Sequence, residues 1–235
     1  VVLVDITVQK EAEEALRGAD RRKDEFLATL AHELRNPLAP IRTGLEVFKR
    51  SPPGPAATRA QEMMERQLTH MVRLIDDLLD VSRISRGKVQ LQRERVELRA
   101  VVEAAVETSR PAIDVRRHAL TVTMPDEPVW LLADLTRLAQ VFGNILRNAA
   151  KYTPEGGRIA MSAHREGGEV VVAVVDTGLG IPRAMLSAVF EMFAQVNRTL
   201  DRAQGGLGIG LALVKRLVEM HGGTVTAESA GPGQG

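Results

Sequence analysis

The spacing of apolar residues predicts two long amphipathic helices in the first third of the chain. In the first helix the apolar positions recur at steps of three and four, the period of a helix that buries one stripe. They are Leu27, Leu30, Leu34, Leu38, Ile41, Leu45 and Phe48. A second helix at about 56–86 carries a comparable stripe, made of Met64, Leu68, Met71, Ile75, Leu78 and Ser82. A proline-rich turn at 51–55 separates the two helices, so they form a hairpin. Each stripe needs more cover than one partner helix provides, so we expect two copies to pair into a four-helix bundle.

His32 falls outside the first stripe. It lies two positions from both Leu30 and Leu34, and at about 100° per residue it faces away from them. An outward histidine with Glu33 beside it can react with a group brought from outside, although such a pair on a helix is also typical of a solvated face. A zinc site of the H-E-x-x-H type is excluded, because Asn36 stands where the second histidine would be. Pro37 and Pro40 predict a bend just after His32.

The remaining pattern mixes short strands with helices. We predict strands at 1–8, 89–98, 120–124, 129–132, 158–164, 169–175 and 224–228. We predict helices at 10–24, 101–115, 134–151, 183–190 and 209–221. The first of these is a rigid helical connector, and Asp134 is the expected N-cap of the third. Antiparallel strands and helices in this order indicate an α+β sandwich.

Composition narrows the choice of function. The chain has 31 basic and 30 acidic residues, which gives no sign of a dedicated nucleic-acid binder. It has no cysteine, which excludes disulfides, thiolate metal sites and cysteine nucleophiles. No apolar run is long enough to cross a bilayer, so we expect a soluble, cytoplasmic protein with no membrane segment in this fragment. The chain begins at Val1 without a methionine, and we interpret it as a piece of a longer protein.

Three polar elements in the second half could form a nucleotide site. Asn144, Asn148 and Lys151 fall on one face of the predicted 134–151 helix, together with Gln140. Amide oxygens can bind Mg²⁺, and a lysine can neutralise a phosphate. Asp176 ends a strand in the run D-T-G-L-G, where a carboxylate can accept a hydrogen bond from an exocyclic amine. The glycine-rich run at 205–210 opens a helix and suits phosphate binding, although it is neither a P-loop nor a Rossmann fingerprint.

The order of these elements resembles that of the sensor histidine kinases of two-component systems. The resemblance covers residues 22–231 and five sequence boxes in family order. The H box is A-H-E-L-R-N-P-L at 31–38, and the N box is Q-V-F-G-N-I-L-R-N-A-A-K-Y-T at 140–153. The G1 box is D-T-G-L-G-I at 176–181, the F box is F-E-M-F at 190–193, and the G2 box is G-G-L-G-I-G-L at 205–211. The opening V-D-I-T resembles the last strand of a PAS sensor domain.

The resemblance implies an α+β fold of two domains: a helical hairpin forming a dimeric four-helix bundle, then an α/β sandwich of the Bergerat type that binds ATP. The implied boundaries are 1–8 for a PAS-like remnant, 9–22 for a helical connector, 23–88 for the dimerisation and phosphotransfer domain, and 89–235 for the ATP-binding domain. Relatives usually continue past G-P-G-Q-G into a last strand, and this sequence stops before it. The implied partners are a second copy, a response-regulator receiver domain and an upstream sensor domain.

The resemblance also implies residue roles. His32 is the expected phospho-acceptor and Glu33 the base that takes or orients its proton. Asn36 completes E-x-x-N, a pattern that in relatives can position water to dephosphorylate the partner. These three residues lie in the H box.

Further roles follow from the N, G1, F and G2 boxes. Asn148 is expected to hold Mg²⁺, with Asn144 and Lys151 near the phosphates and Tyr152 close to the nucleotide. Asp176 is expected to bind the adenine amine, and residues 190–207 to form a mobile lid. The remaining nucleotide-binding residues implied by the boxes are Gly178, Gly180, Phe193, Gly206, Gly208 and Gly210.

The expected function is therefore an ATP-dependent protein-histidine kinase that phosphorylates His32 and passes the phosphoryl group to an aspartate of a response regulator. Phosphatase activity toward that partner is a further hypothesis. Two alternatives remain open: a Bergerat-fold ATPase of another class, and a non-catalytic dimeric signalling scaffold. The A-H-E-L-R-N-P run argues against the first, and the intact N and G boxes argue against the second.

Overall fold

The computed structural model describes residues 7–50, 52, 54–85, 90–194 and 208–235. The chain divides into two compact units, one up to Asp76 and one from Asp77 onward. The first unit is helical, and the second mixes helices with two sheets. The α+β class predicted from the sequence is confirmed.

The first unit is built on two helices, α1 (Thr7–Arg50) and the part of α2 (Pro55–Ser85) that precedes Asp77. α1 stays helical through Pro37 and Pro40. α2 begins at a proline, which suits a helix start because the missing N–H would have no partner there. Residues 1–6 of the strand predicted at 1–8 lie outside the described residues. Its last two residues belong to α1, so the strand is wrong there: the helix-forming sequence that follows extends the helix over them.

The predicted apolar stripes do not lie wholly inside the hairpin. The buried positions of α1 include Glu33, Pro37 and Gly44, and Met64 of α2 lies so close to Gly44 that an added Cβ would approach its Cγ to 2.7 Å. The small residues Ala57 and Ala60 of α2 are also buried. Larger members of the predicted stripes stay exposed, namely Leu38, Leu45, Phe48, Leu68 and Ile75. Close packing at small residues leaves the bulky apolar positions on a second, uncovered face.

The described residues of the second unit include the end of α2 and form two sheets and three further helices. Its strands are β1 (Glu94–Glu97), β2 (Ala119–Thr123), β3 (Trp130–Ala133), β4 (Arg158–Glu166) and β5 (Glu169–Asp176). Its helices are α3 (Leu98–Val115), α4 (Leu135–Tyr152) and α5 (Gly210–His221). β1 pairs antiparallel with β3, while the larger sheet has the order β2-β4-β5. β2 runs parallel to β4, and β4 and β5 form the predicted antiparallel hairpin.

The core of the second unit lies between the three helices and the larger sheet. α3 contributes Leu98, Val101 and Ile113, all with no exposed surface, and β4 turns Ile159 and Met161 toward them. The buried members from α4 and α5 are Leu138, Val141, Phe142, Leu146, Ala149, Ala150, Leu213, Val214 and Leu217. This is the α/β sandwich predicted from the sequence, with its helices on one face of the sheet.

Two predicted elements of this unit are wrong. The helix predicted at 183–190 is only a 3₁₀ turn, Arg183–Met185, followed by further turns. Val189 is the buried residue of this stretch, and a short helix with so little apolar anchoring is marginal. The strand predicted at 224–228 forms no ladder. Its side chains alternate between exposed and half-buried as a strand's would, but β5 pairs with β4 alone.

Candidate active site

Helix α4 carries the largest group of the predicted site residues. The Asp134 side chain caps it by accepting a hydrogen bond from the Arg137 backbone N–H at 3.0 Å, as predicted. The apolar face of α4 is buried in the core, which fixes how the helix is rotated. Asn144, Asn148 and Lys151 therefore share the polar face, with Asn144 only 5% exposed and the other two half-buried.

The carboxamide of Asn144 lies at the centre of this face. Its Oδ1 accepts a hydrogen bond from Arg147 Nη2, and its Nδ2 is buried without a partner among the described residues. Gly210, the first residue of α5, lies next to it, because a Cβ added there would be 4.0 Å from Asn144 Cγ. The first N–H groups of a helix have no intrahelical acceptor and attract anions. Asn144 and the start of α5 together form a surface suited to phosphate.

Asp176 ends β5 as predicted, and its carboxylate is held by its neighbours. Oδ1 accepts from the Gly178 backbone N–H at 2.8 Å and from the Thr153 hydroxyl at 3.4 Å. Both bonds use one oxygen, so Oδ2 can accept a hydrogen bond from an amino group of a ligand. Gly178 must be a glycine here, because an added Cβ would lie 2.9 Å from the Tyr152 carbonyl oxygen and closer still to Asp176.

The loop after Asp176 is supported from behind by the end of the chain. Gly180 has φ +66° and lies against the Gly231 carbonyl, where a Cβ would collide. The Ile181 N–H donates to Ser229 Oγ at 2.9 Å, and the Gly233 N–H donates to the Leu179 carbonyl at 2.6 Å. We call residues 229–235 the C-terminal segment. It holds the Gly178–Gly180 loop in place.

The remaining predicted site residues lie around this centre. Lys151 Nζ donates to the Tyr152 hydroxyl at 3.0 Å and lies 4.7 Å from the centre of its ring. The Phe193 N–H donates to the Gly208 carbonyl at 3.0 Å, and both residues have positive φ, at 69° and 66°. Gly206 and most of the predicted lid at 190–207 lie outside the described residues.

Sequence reasoning misassigned one residue of this helix and missed two. Gln140 was grouped with the nucleotide face, but its amide donates to Asp80 Oδ2 at 2.7 Å and accepts from Arg137. Thr153, whose hydroxyl donates to Asp176, could have been noticed because it is the last residue of the N box at 140–153. Arg147 could be found from its position three residues after Asn144, one turn along the same face.

The first unit holds the other predicted group. His32 is exposed, whereas Glu33 is only 6% exposed, so the two side chains do not form the solvated pair that adjacent polar residues suggest. Asn36 is exposed. Within the part of the chain that the structure describes, no group of three or more His, Cys, Asp or Glu side chains could hold a metal ion. None of the described helices is both long and apolar enough to span a membrane.

These features define a protein that joins an α/β nucleotide-binding domain to a helical hairpin with an exposed histidine. Comparison with known families agrees. Residues 22–87 match the His Kinase A (phospho-acceptor) domain, and residues 133–235 match the histidine kinase-, DNA gyrase B- and HSP90-like ATPase family. The chain thus carries a phospho-acceptor domain followed by an ATPase domain.

Curated relatives match along almost the whole chain. The circadian input-output histidine kinase CikA of Thermosynechococcus vestitus is 34% identical over 94% of this chain and 31% of its own length. The alginate biosynthesis sensor protein KinB of Pseudomonas aeruginosa is 32% identical over 100% of this chain and 38% of its own length. The chain thus spans about a third of the length of these relatives.

Solved structures share the fold. The Acinetobacter baumannii histidine kinase AdeS superposes with a TM-score of 0.64 at 22% identity, covering 86% of this chain and 92% of AdeS. Full-length ShkA in complex with AMPPNP superposes with a TM-score of 0.61 at 29% identity, covering 89% of this chain and 43% of ShkA. Histidine kinase ThkA in complex with the response regulator protein TrrA gives 0.61 at 21% identity, covering 96% of this chain and 63% of that one.

Proposed function

We propose that this chain is the kinase portion of a sensor histidine kinase, which transfers the γ-phosphoryl group of ATP to His32. The observation that carries the proposal is the combination of two features in one chain. One is an exposed histidine in a phospho-acceptor domain, and the other is a set of polar side chains in an ATPase domain, with Asp176 at the end of β5 and Asn144 on α4. The crystal structure of the relative ShkA contains the ATP analogue AMPPNP, which supports ATP as the nucleotide.

The residues present fit ATP. Asp176 Oδ2 would accept from the adenine amine, while Gly178 lets the base approach the backbone. Lys151 and the start of α5 would meet the phosphates, and Asn148 would provide an oxygen ligand for Mg²⁺. When bound, Mg²⁺ neutralises phosphate charge and helps to place the γ-phosphoryl group, the main requirements of phosphoryl transfer.

On the acceptor side, a neutral imidazole is a competent nucleophile near pH 7. An imidazole nitrogen of His32 attacks the γ-phosphorus, the bond from that phosphorus to the bridging oxygen breaks, and ADP leaves. A base must then accept or hold the proton on the other ring nitrogen. We assign the acceptance of this proton to the neighbouring Glu33, whose burial limits the orientations open to its carboxylate.

The partners follow from the exposed surfaces and the relatives. Leu38 and Leu45 are exposed and seven residues apart on α1, and Leu68 and Ile75 repeat this spacing on α2. Seven-residue apolar spacing is typical of helices that pack along a seam. We therefore propose a homodimer with a four-helix bundle, to be tested by sedimentation equilibrium. ThkA was crystallised with a response regulator protein, which supports a receiver domain as the second partner.

The deciding experiment is incubation of the chain with γ-labelled Mg-ATP. We expect an acid-labile phosphoryl group on the wild type and none on His32→Gln. Mixing His32→Gln with Asn148→Ala tests whether the reaction crosses the dimer, because only a trans reaction restores the label. Wild-type protein that hydrolyses ATP without acquiring label would favour the alternative ATPase class. Failure to bind ATP would favour the non-catalytic scaffold.

Two finer proposals depend on this one. Asn36, exposed one turn after His32, is proposed to position water for dephosphorylation of the receiver domain. Asn36→Ala is then expected to reduce dephosphorylation of the partner while leaving labelling of His32 intact, and unchanged dephosphorylation would contradict this role. The PAS-like sensor segment at 1–8 stays a prediction.

A further inference from the structure

The proposed function gives no role to Arg147, whose guanidinium group contacts the Asn144 side chain. We propose that Arg147 fixes the orientation of the Asn144 carboxamide, so that Asn144 meets the nucleotide with its N–H₂ group, as a donor to phosphate, and not with its oxygen, as a ligand of Mg²⁺. The inference rests on the proposed ATP site and assigns different chemistry to the two asparagines on α4.

The orientation follows from the chemistry of the guanidinium group. Arginine has five N–H donors and no acceptor, so the Asn144 atom that it contacts must be the oxygen. That contact leaves Nδ2 as the amide group that points elsewhere. Nδ2 is buried and has no partner within the described part of the chain. A buried donor of this kind needs an acceptor, and a ligand oxygen would provide one.

The position of Arg147 is itself determined by packing. Helical side chains lean toward the helix N-terminus, so Arg147 reaches back over the preceding turn. Gly143 lies in that turn, and a Cβ added there would be 3.1 Å from Arg147 Nη1. The same point lies 3.6 Å from Thr108 Oγ1 and 3.8 Å from Ser109 Oγ of α3. The missing side chain at Gly143 therefore leaves room for the guanidinium group between α4 and α3.

The surroundings of Asn144 indicate what Nδ2 would bind. Gly210 at the start of α5 lies beside it, and α5 is twelve residues long. The N–H groups of the first helical turn and Nδ2 are all donors, so together they favour an anion and disfavour a cation. Asn148, one turn further along α4, is then the asparagine that is left to bind Mg²⁺.

The Asn144→Asp variant separates the two chemistries. It keeps the shape and the contact with Arg147 but replaces the N–H₂ donor with an oxygen. If Asn144 donates to phosphate, Asp weakens ADP binding at least about tenfold, in Mg²⁺ and equally in EDTA, because the repulsion needs no metal. If Asn144 is a metal ligand, Asp preserves or tightens Mg-ADP binding, which would overturn the inference. Affinity is measured by displacement of a fluorescent ATP analogue.

A double-mutant cycle tests whether Arg147 acts through Asn144. Arg147→Met is expected to weaken ADP binding about fivefold in the wild type and less than about twofold in the Asn144→Ala background. Equal losses in both backgrounds would show an independent role and overturn the inference. Arg147→Lys serves the same comparison if thermal unfolding shows that the methionine variant is not folded. Arg110→Met, which removes an exposed arginine of α3, is the matched control and is expected to leave binding unchanged.

These measurements also separate failure of the inference from failure of the proposed function. A wild type that binds neither Mg-ADP nor Mg-ATP overturns the proposed function, and the inference with it. If the wild type binds both nucleotides, additive losses in the cycle or Mg²⁺-dependent effects of Asn144→Asp overturn the inference and leave the proposed function intact.

Discussion

The contact between Asp80 and α4 allows a quantitative prediction. Asp80 lies in the last turns of α2, which belong to the second compact unit. Its Oδ2 accepts from Arg137 Nη1 at 2.7 Å and from Gln140 Nε2 at 2.7 Å. Arg137 also donates to Gln140 Oε1 at 2.8 Å, so the three side chains form a closed triangle. Replacing Asp80 by alanine removes two of the three bonds and leaves the arginine with the amide alone.

The magnitude follows from burial. The side chains of Asp80 and Arg137 are 13% and 24% exposed, so the pair is neither fully buried nor at the open surface. Breaking a fully buried pair costs about 3–5 kcal/mol, whereas exposed pairs contribute about 0–1 kcal/mol. For Asp80→Ala we expect a loss of about 2 kcal/mol, comparable to hydrogen bonds made by charged groups. In a unit of this size that loss lowers Tm by about 4–8 °C.

Differential scanning calorimetry of the whole chain measures this loss. The transition that Mg-ADP raises is assigned to the second unit, because a ligand stabilises the unit that binds it. Asp76→Ala is the matched control. Asp76 is exposed one helical turn before Asp80, and its replacement should shift Tm by less than about 1 °C.

A double-mutant cycle with Arg137→Met shows whether the effect belongs to the pair. We expect a coupling energy of about 1–2 kcal/mol, because either single change removes the same interaction. The reasoning is wrong if Asp80→Ala and Asp76→Ala give the same Tm, or if the Asp80 and Arg137 changes are additive.

Three further predictions concern the nucleotide site and the hairpin. Gly178→Ala should weaken ADP binding more than about tenfold, because the new Cβ would displace Asp176. In the control Gly168→Ala the new Cβ meets no atom within 4 Å, so binding should be unchanged. Equal effects of the two changes would contradict the assignment of Gly178 to the nucleotide site. Thr153→Val removes the hydroxyl that bonds Asp176 at 3.4 Å and should weaken ADP binding about threefold to tenfold, as measured by isothermal titration calorimetry, unless that bond contributes nothing. Ile75→Glu places a charge on an exposed apolar face and should yield monomers by light scattering, whereas a stable dimer would exclude that face from the interface.

Much of the second unit could be predicted because its local signals agree with its packing. Asp134 caps α4 as the sequence indicates, and the glycine pair at 167–168 forms the turn between β4 and β5. The strand predicted at 224–228 shows why such signals are insufficient. A strand needs a neighbouring strand whose N–H and C=O groups are free and in register. Alternating side chains indicate which positions are buried, but they do not show which strand is the neighbour.

Candidate site residues could be proposed from the sequence where the residue type itself suggests the chemistry. They could not be proposed where the role depends on a partner far away in the sequence. Asp176 could be proposed because a carboxylate ends a strand there and begins the run D-T-G-L-G, and Asn144 because it shares a helix face with Asn148 and Lys151. The partner of Gln140 could not be found, because Asp80 is 60 residues away and belongs to a different helix. The burial of Glu33 likewise was not predictable, because the apolar spacing of α1 places Glu33 outside the stripe and does not show what covers it.

The hydrogen bonds of the C-terminal segment have a practical consequence. Because the chain has no cysteine, a single Gln234→Cys change creates a unique thiol for attachment of a fluorophore. Gln234 is exposed, while its neighbours Gly233 and Gly235 donate to the Leu179 and Gly178 carbonyls. A dye at this position would lie next to the Gly178–Gly180 loop, so its emission is expected to report binding of a nucleotide in real time, with no radiolabel.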